Sequence, residues 1–156
     1  MAVVASVARF LDTRRVDYRV VTHLHSDSSS ETAEAAHVSG ECLAKAVLLK
    51  DSHGYCLAVI PATHALQLEV LNDRVERSLH LAEEDELLAA FPDCEAGAVP
   101  AVGRAYGLET LVDEQIFDRP EVYFEAGEHR ELVCVSSHAF EQLMDGAIYS
   151  TFSTHR

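Results

Sequence analysis

Two apolar runs sit close together near the middle of the chain and constrain it more than any other feature. Ala46-Val47-Leu48-Leu49 and Cys56-Leu57-Ala58-Val59-Ile60 are separated by a segment containing Asp51-Ser52-His53-Gly54. Each run is too short for a buried helix and far too short to cross a bilayer, and Gly54 closes a tight turn between them. The pair reads as two strands, Ala46 to Leu49 and Tyr55 to Ile60. Continuous apolar character, without polar alternation, predicts that both faces of these strands are covered. A chain of 156 residues can supply that cover from a single core, so one domain spanning residues 1–156 is expected.

The rest of the chain alternates between the two periodicities. Val3, Val4, Val7, Phe10 and Leu11 repeat at helical spacing, while Tyr18 to Thr22 reads as a strand. Glu31 to Ala36 reads as a short helix, with Ser28 and Glu31 placed as a capping box. Ser39 to Ala44 reads as a turn leading into the first apolar strand. Gln67 to Val75 and Ala82 to Phe91 read as helices, the second stopped by Pro92. Cys94 to Gly107, with four glycines or prolines, reads as a structured loop. Glu109 to Val112, Glu121 to Ala126 and Glu131 to Val135 read as strands, the last two a hairpin across Gly127 to Arg130. His138 to Met144 reads as a closing helix behind Ser136 or Ser137. The fold class expected is α+β, a mixed, largely antiparallel β-sheet flanked by α-helices.

Several function classes are excluded or disfavoured. No P-loop, dinucleotide fingerprint or G-x-S-x-G elbow is present. The N-terminus lacks a basic region followed by an apolar stretch, so no signal peptide is expected. The four cysteines, Cys42, Cys56, Cys94 and Cys134, form no C-x-x-C pair and read as free thiols of a cytoplasmic protein. His23-x-His25 has chelating spacing on a strand, but no matching ligand set accompanies it, so no metal and no cofactor are expected. With 12 basic against 26 acidic residues the net charge is −14. That argues against a broad basic face of the kind that grips nucleic acid, and fits a protein that touches little phosphate or one with a local basic patch on an acidic body.

Three features could carry chemistry. Lys45 is one of only two lysines and stands at the mouth of an apolar strand, where a cation can point into a cleft; a lysine snorkelling to water is the alternative. Gly97-Ala98-Val99-Pro100-Ala101-Val102-Gly103 is a loop whose N–H groups could form an anion-binding concavity and hold a developing oxyanion. His129 lies at the tip of the last hairpin.

Taken in order, these pieces resemble the YbaK/prolyl-tRNA synthetase-associated editing domains. Leu43 to Lys50 resembles the lysine-bearing strand of that family, and Tyr55 to Pro61 the strand after it. Gly97 to Gly103 resembles the glycine loop, and Val112-Asp113-Glu114 the acidic strand end. Tyr123 to Val135, with Gly127 and His129, resembles the closing hairpin, and Ser136 to Leu143 the final helix. The likeness spans roughly Arg9 to Met144. The loop departs from the usual G-x-x-x-P, since Pro100 comes one position early and Ala101 stands in the usual proline place.

The resemblance implies a trans-acting hydrolase that deacylates mischarged tRNA, with alanyl-tRNA(Pro) the leading substrate. It implies Lys45, Gly97 and His129 as catalytic groups, and Ala98, Val99, Pro100, Gly103, Asp113 and Gly127 as substrate-binding ones. The partners it implies are the aminoacylated 3′ end of tRNA and an aminoacyl-tRNA synthetase, with neither membrane nor DNA involved. The alternative is a binding module or regulator that keeps the fold without hydrolysis.

Overall fold

The computed structural model describes residues 3–23, 32–33, 36 and 38–156. The expected capping box at Ser28 and Glu31, most of the helix expected over 31–36, and His25 lie outside the described residues.

The chain opens with α1 (Ala5–Arg14), which buries Val7 and Leu11 and ends where Arg15 turns left-handed at φ 54°. β1 (Arg19–Thr22) comes next, and further along a 3-10 turn, Gly40–Cys42, in which the Glu41 N–H donates to the Ser39 hydroxyl. β2 (Leu43–Asp51) and β3 (Gly54–Pro61) form the central hairpin, with Ala44 opposite Pro61 and Asp51 opposite Gly54. β4 (His64–Leu66), α2 (Leu68–Val75), β5 (His80–Leu81) and α3 (Glu84–Ala90) come next. α3 starts with a reciprocal capping box between Glu83 and Glu86.

After the long loop come a 3-10 turn at Gly103–Tyr106, β6 (Glu109–Asp113) and a second such turn at Glu114–Asp118. β7 (Glu121–Glu125) and β8 (Glu131–Ser136) form the second hairpin. α4 (Ser137–Leu143), capped by the Ser136 hydroxyl, then β9 (Ile148–Ser150) and β10 (Ser153–His155) complete the chain.

The main sheet has eight strands in the order β1-β8-β7-β2-β3-β6-β9, with β5 also on β2. Hairpin partners run antiparallel, while β2/β7, β3/β6 and β6/β9 are parallel. β10 pairs with β4 as a separate two-stranded ribbon. The mixed, mostly antiparallel sheet with flanking helices is the class expected.

Alternation along the strands divides the core by face. On one face α1 and α4 pack Val7, Leu11, Phe140 and Leu143 onto Ala44, Leu48, Leu57, Val59 and Phe124. On the other, α2 and Phe152 cover Leu49, Cys56, Ala58, Ile60 and Leu111. Further along that second face Leu43, Tyr123, Leu132 and Cys134 form a third cluster. β3 is buried from Cys56 to Pro61, the two-sided cover read from its apolar run. All four cysteines are free thiols.

Two expectations need correction. β2 begins at Leu43, so Lys45 is the third residue of a nine-residue strand and not a residue at its mouth. The strands β4, β5, β9 and β10 were not expected; each has only two or three residues, too few to show a period of two.

Candidate functional site

β2 and β7 are the point where the two hairpins join, and their ladder is short. Only Leu43 with Tyr123 and Ala44 with Phe124 are in register. β2 is covered again on that edge by β5, at Leu49 and Lys50, and by the Ala82 N–H on the Leu48 carbonyl. Between them, residues 45–47 have no strand partner on this edge among the described residues. Lys45 and Glu125 stand at this opening. Each lies two positions beyond the Leu43/Tyr123 pair, so both side chains project from the face that carries the third apolar cluster.

Lys45 is half-buried, and desolvation lowers its pKa, assisted by the positive charge of Arg156. Arg156 is brought into range because β10 runs along β4 and the Arg156 N–H donates to the Thr63 carbonyl (3.1 Å). No carboxylate pairs with the Lys45 ammonium among the described residues. A desolvated cation with a second cation nearby favours an anionic or strongly dipolar ligand.

Glu125 is 3% exposed, and among the described residues neither oxygen accepts a hydrogen bond of regular geometry. Burial raises its pKa to about 7, and the Thr32 hydroxyl opposes that shift only in part. The Glu125 carboxyl therefore changes charge near neutrality, a property common at functional sites. The sequence reading passed over it. The signal was available: a carboxylate occupies a position of the same parity as Tyr123 in the otherwise buried run Val122 to Ala126.

The hairpin after Glu125 holds the glycine loop. Gly127 adopts φ +99°, and a Cβ there would meet the Val4 side chain at 2.6 Å. Its N–H donates to the Ala98 carbonyl (3.1 Å), and its carbonyl accepts from the Glu95 N–H (2.8 Å). The His129 N–H donates to the Glu95 carboxylate (2.9 Å), and His129 is 6% exposed. The structure thus brings Gly97, Ala98, Gly127 and His129 together. His23 joins them, its N–H donating to the Arg130 carbonyl (2.8 Å). The sequence suggested a metal ligand or, as the alternative, an exposed polar residue; His23 is buried, 7% exposed.

Other expected site residues lie elsewhere or are engaged. The Ala98 N–H closes a turn on the Glu95 carbonyl (3.1 Å), which removes it as an oxyanion donor. Gly97, at φ +82°, turns the chain in a region that favours glycine. Val99 and Pro100 are buried, and Val99 belongs to the core on the face opposite Lys45. Gly103 begins a 3-10 turn so close to β3 and β6 that a Cβ would lie 2.7 Å from the Thr110 hydroxyl oxygen.

Asp113 ends β6, two strands from β2, and its carboxylate is fully engaged. It accepts from the Gln115 N–H (2.9 Å) and side-chain amide (3.0 Å), the Phe152 N–H (3.0 Å) and the Ser153 hydroxyl (2.7 Å). Ser153 meets His64 Nδ1 at 2.9 Å, and His64 and His155 both face Glu41. This network pins β10 to the body and so sets the position of Arg156. Among the described residues no group of three or more histidines, cysteines, aspartates or glutamates is arranged to hold a metal ion. No helix among them is long and apolar enough to cross a membrane.

Comparison with known proteins identifies a family and a shared fold. The model of the aminoacyl-tRNA editing domain family matches residues 23–143, which include Lys45, Gly97, Glu125 and His129. Among solved structures, a hypothetical protein superposes with a TM-score of 0.84 at 21% identity, over 96% of this chain and 99% of that one. A candidate trans-editing enzyme for prolyl-tRNA synthetase gives 0.82 at 23% identity, over 96% and 95%. A candidate signal-transduction protein of Marinobacter aquaeolei gives 0.79 at 23% identity, covering 97% of this chain but 31% of that one. At these identities the structures establish a shared fold. A search of curated proteins returns no match.

Proposed function

This chain belongs to the aminoacyl-tRNA editing domain family, and from that premise we propose that it is a trans-acting deacylase of mischarged tRNA. The observation that carries the reading is Lys45, a half-buried cation facing an opening in the sheet with no carboxylate paired to it among the described residues. The aminoacyl ester enters this opening with its terminal nucleotide, and Lys45 binds the anionic or carbonyl oxygens there. With the Ala98 N–H engaged, the loop donor assigned to the developing oxyanion is the Gly97 N–H. Water is the nucleophile. Glu125 and His129 are the groups assigned to orient it and move its proton.

The ester is already activated, so positioning and oxyanion stabilisation suffice without a covalent intermediate, metal or cofactor. The leading substrate is alanyl-tRNA(Pro). A synthetase distinguishes side chains that differ by one methylene by only ~1–3 kcal/mol, which makes small amino acids the errors that need a second sieve. The reaction takes place in the cytoplasm, beside the synthetase that makes the error. A non-hydrolysing binding module is the second reading, and the engaged Ala98 N–H is the observation in its favour.

The test is single-turnover deacylation of a matched panel of aminoacyl-tRNAs. Turnover of a small mischarged ester above spontaneous hydrolysis, with prolyl-tRNA(Pro) spared and activity resistant to chelators, is expected. Lys45→Ala should lower the rate at least ~10-fold, or ~1.4 kcal/mol of transition-state stabilisation, with melting temperature unchanged. If no member of the panel is turned over, the binding module replaces the deacylase.

A further inference from the structure

The protein is strongly acidic, with a net charge of −14, yet its arginines are unevenly placed. A cleft of about 320 Å³ runs beside α1 and is lined by Arg9, Arg14 and Arg104 together with Ser6, Phe10 and Thr13. Among the described residues no carboxylate lines it, and it holds three of the chain's 12 basic residues. None of the three arginines forms an ion pair among the described residues.

Their positions are fixed by packing. The Arg14 guanidinium lies over the Phe10 ring, 5.0 Å from its centroid. The Arg104 guanidinium is held against Gly146, where a Cβ would lie only 2.8 Å from it. The nearest acids are otherwise occupied or set to one side. Asp93 accepts from the Ser6 N–H (3.3 Å) and the Tyr106 hydroxyl (2.7 Å). Glu141 and Asp145 line a separate, neighbouring cleft that Arg14 also borders.

The cleft lies on the α1 side of the sheet, opposite the face from which Lys45 projects, and two segments of chain lead from it to the hairpin and glycine loop of the candidate site. Arg104 stands in the turn that directly follows the loop from Gly97 to Gly103. At the other end of α1, Val4 packs on Gly127 and its N–H bonds to the Ala126 carbonyl (3.0 Å). α1 has ten residues, so at 1.5 Å per residue its arginine-lined end lies roughly 15 Å from the hairpin that carries His129.

We propose that the cleft of Arg9, Arg14 and Arg104 binds the phosphodiester backbone of the tRNA whose 3′ end occupies the opening at Lys45. The inference rests on the deacylase reading for the identity of the nucleic acid. Guanidinium groups suit phosphate because their planar fork can donate two hydrogen bonds to it. A small basic cleft on an acidic body confines contact to a few phosphates and lets the rest of the molecule repel the tRNA.

The test uses the triple variant Arg9→Gln/Arg14→Gln/Arg104→Gln, with Arg74→Gln on α2 as the control. Binding of uncharged tRNA is followed by fluorescence anisotropy across a salt series. At ~0.9 per neutralised phosphate, the slope of log affinity against log salt should shrink by ~2–3 units in the triple variant and by ~0.9 in Arg9→Gln alone. Arg74→Gln should leave it unchanged. In deacylation, the triple variant should raise KM for mischarged tRNA at least ~10-fold at low salt with kcat unaltered, a loss of ~1.4 kcal/mol in binding. Hydrolysis of aminoacyl-adenosine, which has no phosphate, should not change.

An unchanged slope overturns the proposal, and does so in favour of an acidic protein partner if the triple variant also loses the synthetase. A protein that binds tRNA through these arginines but hydrolyses nothing sinks the deacylase and leaves the cleft assignment standing. A working deacylase indifferent to all three substitutions does the reverse. Circular dichroism of each variant separates loss of binding from loss of fold.

Discussion

β6 and β7 each end in a buried carboxylate, and the surroundings of the two are opposite. Asp113, with no exposed surface, is met by two backbone N–H groups, an amide and a hydroxyl, drawn from the following turn and from β10. Glu125, 3% exposed, has only the Thr32 hydroxyl to oppose its desolvation among the described residues, and burial pushes its pKa up to about 7. The first carboxylate has donors arranged around it and serves as an anchor. The second is kept out of water with only the Thr32 hydroxyl to offset its burial among the described residues, which costs stability and is tolerated where a group has other work. Sequence likeness had assigned Asp113 to the substrate; the geometry moves attention to Glu125.

The contrast is broken or sharpened most strongly at Asp113. Asp113→Asn turns one acceptor oxygen into an NH₂ group that faces donors. It should destabilise the protein by ~3–5 kcal/mol in urea denaturation, the range for breaking a buried charged network. A loss under ~1 kcal/mol would remove the anchor role.

The substitution at Glu125 should have the opposite sign. Its pKa is raised above the unfolded value, so the folded state holds a proton that the unfolded state has released between roughly pH 4.5 and 7. Stability therefore falls as pH rises through that window and stays low above it. Glu125→Gln should flatten this dependence and stabilise the protein by about 2 kcal/mol at pH 8, while slowing deacylation. A variant less stable than the parent at pH 8 would show that the carboxylate has partners after all.

The smallest expected effect is at Ser153, which joins Asp113 to His64. Ser153→Ala should cost ~1–2 kcal/mol by thermal unfolding and lower affinity for anionic ligands at Lys45, since β10 sets the position of Arg156. Equal affinity in the two proteins would separate the clamp from the site.

Much of this was legible in the sequence, and the limits have physical causes. The two hairpins, α1, α2, α3 and α4 announced themselves through period and punctuation, because each is long enough to show a repeat. β10 could not: Ser153-Thr154-His155 is polar and three residues long, and it is a strand only because β4 and Asp113 hold it. Lys45 was identified through its strand, but its second cation, Arg156, is 111 positions away, and only the β10/β4 ribbon brings them together. The Ala98 N–H looked available because a glycine loop suggests open donors. Its turn onto Glu95 is a local closure that composition does not reveal. The arginine cleft was equally hidden, since net charge sums over the surface and conceals how its signs are sorted.

The two-pair ladder between β2 and β7 has a consequence for how such a protein can diverge. Most positions in a sheet are held both by their side-chain packing and by backbone pairing, so changing them risks the register. Beside residues 45–47 no strand among the described residues constrains the backbone on one edge, while the hairpins on either side keep their own ladders of eight and five pairs. Side chains bordering that gap can be exchanged with little penalty to the rest of the molecule. A lineage of such chains is free to alter the shape and charge of this opening while inheriting the same scaffold unchanged.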